Sequence, residues 1–333
     1  MNWFSRKIIY LDYAAATPML PEVRREMEKY FSKDFYNPNA IYAEGEKVRK
    51  KVEEYRTRIA KILGVSKETI IFTSGGTEAN VLAVRGVRPG KIVAEPGSHP
   101  SVLEAVIENN SKEITLISSV TTDNKLGRKI REERKKNDPP AGGQYPLLHI
   151  DASQTAQYFN IGLEHLACDL ITLDGAKLYG PKGIGALIVR KGVELNLPPR
   201  GTPPVPLIAG FAKALEMAER DREAEFKRLD SMSASFVEGL GHALPQARVT
   251  RTLPNIINVS VPDILPEFLV LALDREGVKV SAGPACDANK PEPADAPVRF
   301  SLGRHTSKKD LDRAVKIFCR VIENMLKFPH AAV

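Results

Sequence analysis

The sequence predicts an α/β fold, with a large domain built on a mainly parallel sheet and a smaller α+β unit beside it. Short apolar runs of strand length alternate with stretches whose apolar residues recur every three or four positions, the pattern of strands joined by crossover helices. A long helical stretch, about 206–240, divides that series from a shorter mixed one. The 333 residues, 43% of them hydrophobic, suffice for a large core and a second, smaller one.

The elements follow in order. A short strand is predicted at 8–11, and the three-and-four spacing marks helices at 21–31 and 43–63. TIIFT (69–73) leads into a helix from Thr77, and KIVAE (91–95) into one near His99. ITLISSV (114–120), LLHID (147–151), DLITL (169–173) and GALIV (185–189) are nearly continuous apolar runs, as strands covered on both faces must be. Beyond the long helix come NIINVSV (255–261), a helix over 266–276, VKVSA (278–282), VRFSL (298–302) and a helix over 307–326. The division this implies is 14–220 for the large domain, with 1–13 and 221–333 forming the small one. In open α/β sheets ligands gather beyond the carboxyl ends of the strands, where several of the polar residues singled out below fall.

Composition narrows the function. Cys168, Cys286 and Cys319 are an odd set without C-x-x-C spacing, so neither a disulfide framework nor a zinc site is indicated. The opening MNWFSRKIIYLDY is too short and too charged for a secretory signal, and no apolar run approaches a membrane span. A soluble cytoplasmic protein is the expectation. The net charge of +7 does not point to nucleic acid, because the basic residues are dispersed or sit with acids, as in EGEKVRKKVEEYRTR. RKIREERKKNDPPAGGQ (128–144) reads as an exposed helix and loop.

Three segments carry chemistry. FTSGGTEAN (72–80) places small and hydroxyl residues between a buried strand and a helix, where backbone N–H groups and the helix dipole would face an anion; it could equally be a turn with a helix cap. Lys177 follows an apolar strand and precedes a Gly/Pro-rich turn, a setting that removes its amine partly from water and frees it for covalent work, whereas Lys182 reads as a surface lysine. HIDASQ puts Asp151 three residues before Gln154 at another strand end. A carboxylate there can pair with a protonated ring nitrogen, or it can simply cap a turn.

The ordered set LDYAAATP, NPNAIYAEG, FTSGGTEAN, SHPSVLEAV, HIDASQ, GAKLYGPKGIGALIV, PNIINVS, SAGPAC and RFSLGR resembles the cysteine desulfurases, within the class V aminotransferase group of fold-type I pyridoxal 5′-phosphate (PLP) enzymes. The likeness runs nearly end to end. It implies that Lys177 binds PLP covalently, Asp151 pairs with its pyridine nitrogen, Gln154 with its phenolic oxygen, His99 stacks on its ring, and Gly76 and Thr77 hold its phosphate. It also implies that Asn124 contacts substrate or cofactor, that Thr202 reaches the phosphate of the other subunit of a homodimer, and that Arg299 clamps the carboxylate of an L-cysteine substrate. Cys286 would take the sulfur as a persulfide, leaving alanine, for delivery to an acceptor protein in iron–sulfur or thiolation chemistry; His99 would be a proton carrier or only a stacking partner. Cys168 and Cys319, on apolar surfaces, read as core residues.

The chain departs from the family pattern in places. Asp174-Gly175-Ala176-Lys177 stands where Ser-x-His-Lys is usual, so a hydroxyl and an imidazole are missing. The segment before Thr202 is abbreviated to NLPPRGT, Asp123-Asn124-Lys125 replaces a doubled Asn followed by Glu, and both the 286–299 loop and the tail after the last helix are short. These departures leave open another class V reaction, such as transamination or selenocysteine cleavage, or a weakened member that serves as a binding or assembly protein.

Overall fold

In a computed structural model, the described residues are 8–107, 111–120, 125–136, 145–199, 201–283 and 296–327. The chain forms two units, one of Pro18–Arg222 and one of Met1–Thr17 with Glu223–Val333. In chain order the strands are β1 (Ile9–Tyr10), β2 (Ile70–Thr73), β3 (Lys91–Ala94), β4 (Ile114–Ser119), β5 (Leu147–Asp151), β6 (Leu170–Asp174), β7 (Gly185–Val189), β8 (Arg248–Leu253), β9 (Ile256–Ser260), β10 (Val278–Lys279), β11 (Ser281–Ala282) and β12 (Val298–Ser301). The helices are α1 (Pro21–Glu28), α2 (Ala43–Leu63), α3 (Gly76–Arg85), α4 (Pro100–Leu103), α5 (Lys125–Lys136), α6 (Leu163–Leu166), α7 (Val205–Ala243), α8 (Pro266–Arg275) and α9 (Lys308–Lys327).

The unit of Pro18–Arg222 is organised by a sheet of order β2-β7-β6-β5-β4-β3. β3, β4, β5 and β6 run parallel, while β7 is antiparallel to both of its neighbours, β2 and β6. The reversal follows from the connection: β6 and β7 are joined by the short Gly/Pro-rich segment 175–184, with no crossover helix. Consequently β2 through β6 all end at one edge. α3 presents Ala79, Ala83 and Val84 to Ile71, Leu116, Leu170 and Leu187 of the sheet, and these residues are buried together. The small side chains of α3 at i and i+4 bring its backbone close to the strands. α2 stops at Gly64, whose φ of 65° is the left-handed conformation that ends helices.

The other unit has a four-stranded sheet of order β11-β12-β9-β8 and the parallel pair β1-β10. The run 278–282, expected as one strand, is two: β10 pairs with β1 and β11 with β12, and Val280 lies between them. β8 was not expected, because RVTRTL is an edge strand and largely exposed, so it lacks the apolar run that marks a buried strand. Phe300 of β12 meets Phe236 of α7 at 5.4 Å and Phe318 of α9 at 5.3 Å between ring centroids. α9 buries Leu311, Ala314, Phe318 and Ile322, the stripe its sequence spacing predicts.

Candidate active site

The carboxyl ends of β2, β3, β5 and β6 carry most of the predicted residues. At the end of β2, Thr73 Oγ1 donates to the Gly75 carbonyl (2.9 Å) and the Glu78 carboxylate accepts the Ser74 N–H (2.5 Å), which folds the chain tightly into α3. Gly75 is the N-cap and offers no side chain to the first N–H groups of the helix. A Cβ on Gly76 would lie 3.1 Å from Ser153 Oγ and 3.2 Å from Asp174 Cβ, so glycine is what lets the helix start against these two residues. Ser153 Oγ is buried and has no hydrogen-bond partner among the described residues. Uncapped N–H donors with an unpaired hydroxyl beside them suit an anion.

Lys177 closes a one-turn helix, Gly175–Lys177, directly after β6. The Asp174 carboxylate caps that turn, accepting the Ala176 N–H at 2.9 Å through Oδ1, while Oδ2 lies 3.4 Å from where a Gly76 Cβ would be. Gln157, itself buried, donates its amide to the Lys177 carbonyl. Tyr179, buried at a φ of 57°, turns the chain sharply two residues later. Lys177 is thus half-buried on a turn fixed from both sides, and Lys182 is exposed.

Asp151 ends β5, and its two carboxylate oxygens are held separately. Oδ1 accepts the Ser153 N–H at 3.0 Å, and Oδ2 accepts Asn80 Nδ2–H of α3 at 2.8 Å. Asn80 Nδ2 also donates to Ser101 Oγ (3.0 Å), and Ser101 Oγ lies 2.7 Å from His99 Nδ1. The Ser101 N–H donates to the same nitrogen at 3.0 Å, making His99 the N-cap of α4. An unbroken hydrogen-bonded chain therefore links the carboxylate expected to face a ring nitrogen with the imidazole expected to stack on that ring.

Gln154 is half-buried beside this group and Thr202 is exposed. Arg299 lies in the other unit, on β12, where it is 4% exposed. Its Nη2 donates to Asp12 Oδ1 at 3.1 Å, and its Nε is buried without a hydrogen-bond partner among the described residues. Cys286 and Asn124 lie outside the described residues. Cys168 is fully buried, and burial pushes its thiol well above the usual range, which suits a core residue and not a nucleophile. Cys319 is half-buried, and burial raises it too. No group of His, Cys, Asp and Glu among the described residues could hold a metal ion, and no described helix is long and apolar enough to cross a membrane.

The aminotransferase class-V family pattern matches residues 9–125, 143–200 and 199–314. The chain belongs to the aminotransferase class-V family. A cysteine desulfurase IscS of Dictyoglomus turgidum is 32% identical over 382 aligned residues, covering 96% of this chain and 96% of that protein. One from Clostridium botulinum is 28% identical over 95% of each. Among solved structures, a NifS-like protein superposes with a TM-score of 0.83 at 25% identity, over 96% of this chain and 100% of that one. A NifS-like protein from Rickettsia africae shares the fold with a TM-score of 0.82 at 21% identity, over 95% and 100%.

For a class-V chain, the donor set fits PLP: helix N–H groups and the unpaired Ser153 hydroxyl for a phosphate, a buttressed carboxylate for a ring nitrogen, and a half-buried lysine for the aldehyde. Sequence reasoning missed four residues of this candidate site, namely Asn80, Ser101, Ser153 and Gln157. Asn80 did leave a signal, a polar residue next to Ala79 on the face that α3 buries, and Ser153 lies inside HIDASQ between two residues that were singled out. Ser101 lies inside SHPSVLEAV, two residues from the His99 ring that it bonds, whereas Gln157 left no signal, since its partner is set by tertiary contact.

Proposed function

We propose that this chain is a PLP-dependent cysteine desulfurase, converting L-cysteine to L-alanine with the sulfur held as a persulfide on Cys286. The observation that carries the reading is the gathering of Lys177, Asp151, His99 and the uncapped start of α3 at one sheet edge, in a chain 32% identical to a cysteine desulfurase. Gly76 and Thr77, with Thr202 of a second subunit, would hold the phosphate. Asp151 and Gln154 would hold the ring nitrogen and the phenolic oxygen, Lys177 the covalent bond, and Asn124 and Arg299 the substrate. Bound PLP supplies the electron sink that lets the Cα proton of an amino acid leave.

Within that arrangement the Lys177 Nζ would take the Cα proton and return it to Cα after the sulfur has left. The Cys286 thiolate forms the S–S bond as the substrate C–S bond breaks, the C–S electrons stay with Cβ, and Cβ takes a proton to become the methyl of alanine. The test is to incubate PLP-loaded protein with L-cysteine and a thiol reductant and to measure sulfide and alanine, which should appear in equal amounts. Cys286→Ser should lose both while retaining PLP. Activity that survives in Cys286→Ser would point to another class V reaction, such as transamination, that needs no thiol.

A homodimer, a sulfur-acceptor protein and a cytoplasmic location belong to the same proposal. Phe31, Phe35, Ile41 and Tyr42 are 65%, 63%, 98% and 50% exposed within one short stretch, an apolar surface suited to burial against a second copy. Sedimentation should find a dimer, and an active PLP-loaded monomer would refute it.

A further inference from the structure

Asn80 and Ser101 occupy neither the phosphate seat nor the lysine turn, yet they join the site's carboxylate to its imidazole. We infer that they are positioning residues that hold the neutral His99 ring with its proton on Nε2 and tie that ring to Asp151. This rests on the proposed function only for its use, not for its geometry.

Directionality in the chain follows from which atoms can donate. A carboxylate accepts only, so the atom of Asn80 facing Asp151 Oδ2 at 2.8 Å is the amide nitrogen. Its second hydrogen is directed to Ser101 Oγ at 3.0 Å, which makes that oxygen an acceptor and frees the hydroxyl hydrogen for His99 Nδ1 at 2.7 Å. The Ser101 backbone N–H can only donate, and it also ends on Nδ1, at 3.0 Å. Nδ1 must then present its lone pair, and the ring proton of the neutral imidazole lies on Nε2. Asn80 is 1% exposed and Ser101 6%, so water does not compete for these bonds. Asn80 Oδ1 is buried without a partner among the described residues, so the amide makes both of its bonds through nitrogen. For a bound substrate or cofactor, His99 is therefore an N–H donor through Nε2.

The test reads the tautomer directly in cofactor-free protein carrying 15N-labelled histidine, at a pH where the ring is neutral. The chain has 6 histidines, and His99→Gln identifies the signal. The wild type should show Nε2–H. Ser101→Ala should raise the Nδ1–H minority about fivefold, the worth of one ordinary hydrogen bond, because only the backbone donor remains. Ser101→Thr, which keeps the hydroxyl, should restore the wild-type ratio. Asn80→Ala should raise the minority similarly and also weaken PLP binding about tenfold, since Asp151 loses a donor. An Nδ1–H wild type, or a ratio unchanged in both Ser101→Ala and Asn80→Ala, would overturn the inference. So would equal PLP affinity of Asn80→Ala and wild type, which would cut the tie to Asp151. Failure of every form to bind PLP would sink the proposed function, while the tautomer ratios would still decide the roles of Asn80 and Ser101.

Discussion

His149 and His99 belong to the same unit, one inside its sheet and the other at the sheet's edge. The His149 ring is fully buried on β5, with Nδ1 2.9 Å from Ser118 Oγ on β4 and Nε2 2.9 Å from Thr172 Oγ1 on β6. Both nitrogens are used, and burial lowers its pKa to about 4 against the opposing pull of Asp151. His99 is half-buried and has Nδ1 engaged by Ser101. An interior imidazole with both nitrogens bonded holds three strands together. One bonded through a single nitrogen at a strand end keeps a donor for chemistry. Cys168 is likewise sealed in the core, where burial holds its thiol protonated.

The sharpest separation of edge from interior should come from Lys177→Ala, which is expected to abolish covalent PLP and all turnover while leaving thermal unfolding unchanged. Borohydride trapping and peptide mapping check it, and a label on Lys182 would break the assignment. A large effect of the opposite kind is expected at His149. Its pKa is depressed in the folded state, so the unfolded chain binds a proton more readily as pH falls from about 6.5 to about 4, and stability is lost across that window. The shift corresponds to about 3 kcal/mol. In His149→Gln this acid-side loss should be smaller by that amount in urea denaturation at successive pH values. An identical acid profile would mean that His149 is not held neutral.

Smaller effects sharpen the comparison further. Cys168→Ala should cost about 1 kcal/mol of stability, by analogy with small core truncations, with no change in sulfur transfer. Mass spectrometry after a cysteine pulse should find the added sulfur on Cys286, and sulfur on Cys168 would reverse the roles. Asp174→Ser should tighten PLP binding severalfold at low salt, because the Asp174 carboxylate beside Gly76 opposes a phosphate while a serine can still cap the Ala176 N–H. The gain should shrink as salt screens the repulsion. Equal affinity at both salts would show that Asp174 does not act on the phosphate.

Much of the fold was legible because buried strands write themselves as apolar runs. GALIV became β7 over Gly185–Val189, and α2 spans Ala43–Leu63, the range its periodicity predicts. Strand direction was not legible: nothing in the residues of β7 marks it as reversed, and only the short 175–184 connection hints at it. At the site, strand ends were readable as places where an apolar run stops at a polar residue, as at Asp151 and Asp174. The bonds between them were not readable. Asn80 and Ser101 are 21 positions apart, and Asn80 and Asp151 are 71 apart, so their pairing exists only once α3 is packed on the sheet.

Gly185 opens β7 directly opposite both Thr73 of β2 and Asp174 of β6. A Cβ there would lie 2.6 Å from the Leu173 carbonyl oxygen and 2.7 Å from the Gly75 carbonyl carbon. One residue without a side chain thus acts as the common datum for two parts of the site, the turn into α3 and the turn that carries Lys177. Both turns are packed against the same backbone point, so the spacing between anion seat and amine depends on position 185 having no side chain. A methyl group at 185 would wedge them apart, and no repair confined to either turn would bring the two back into step.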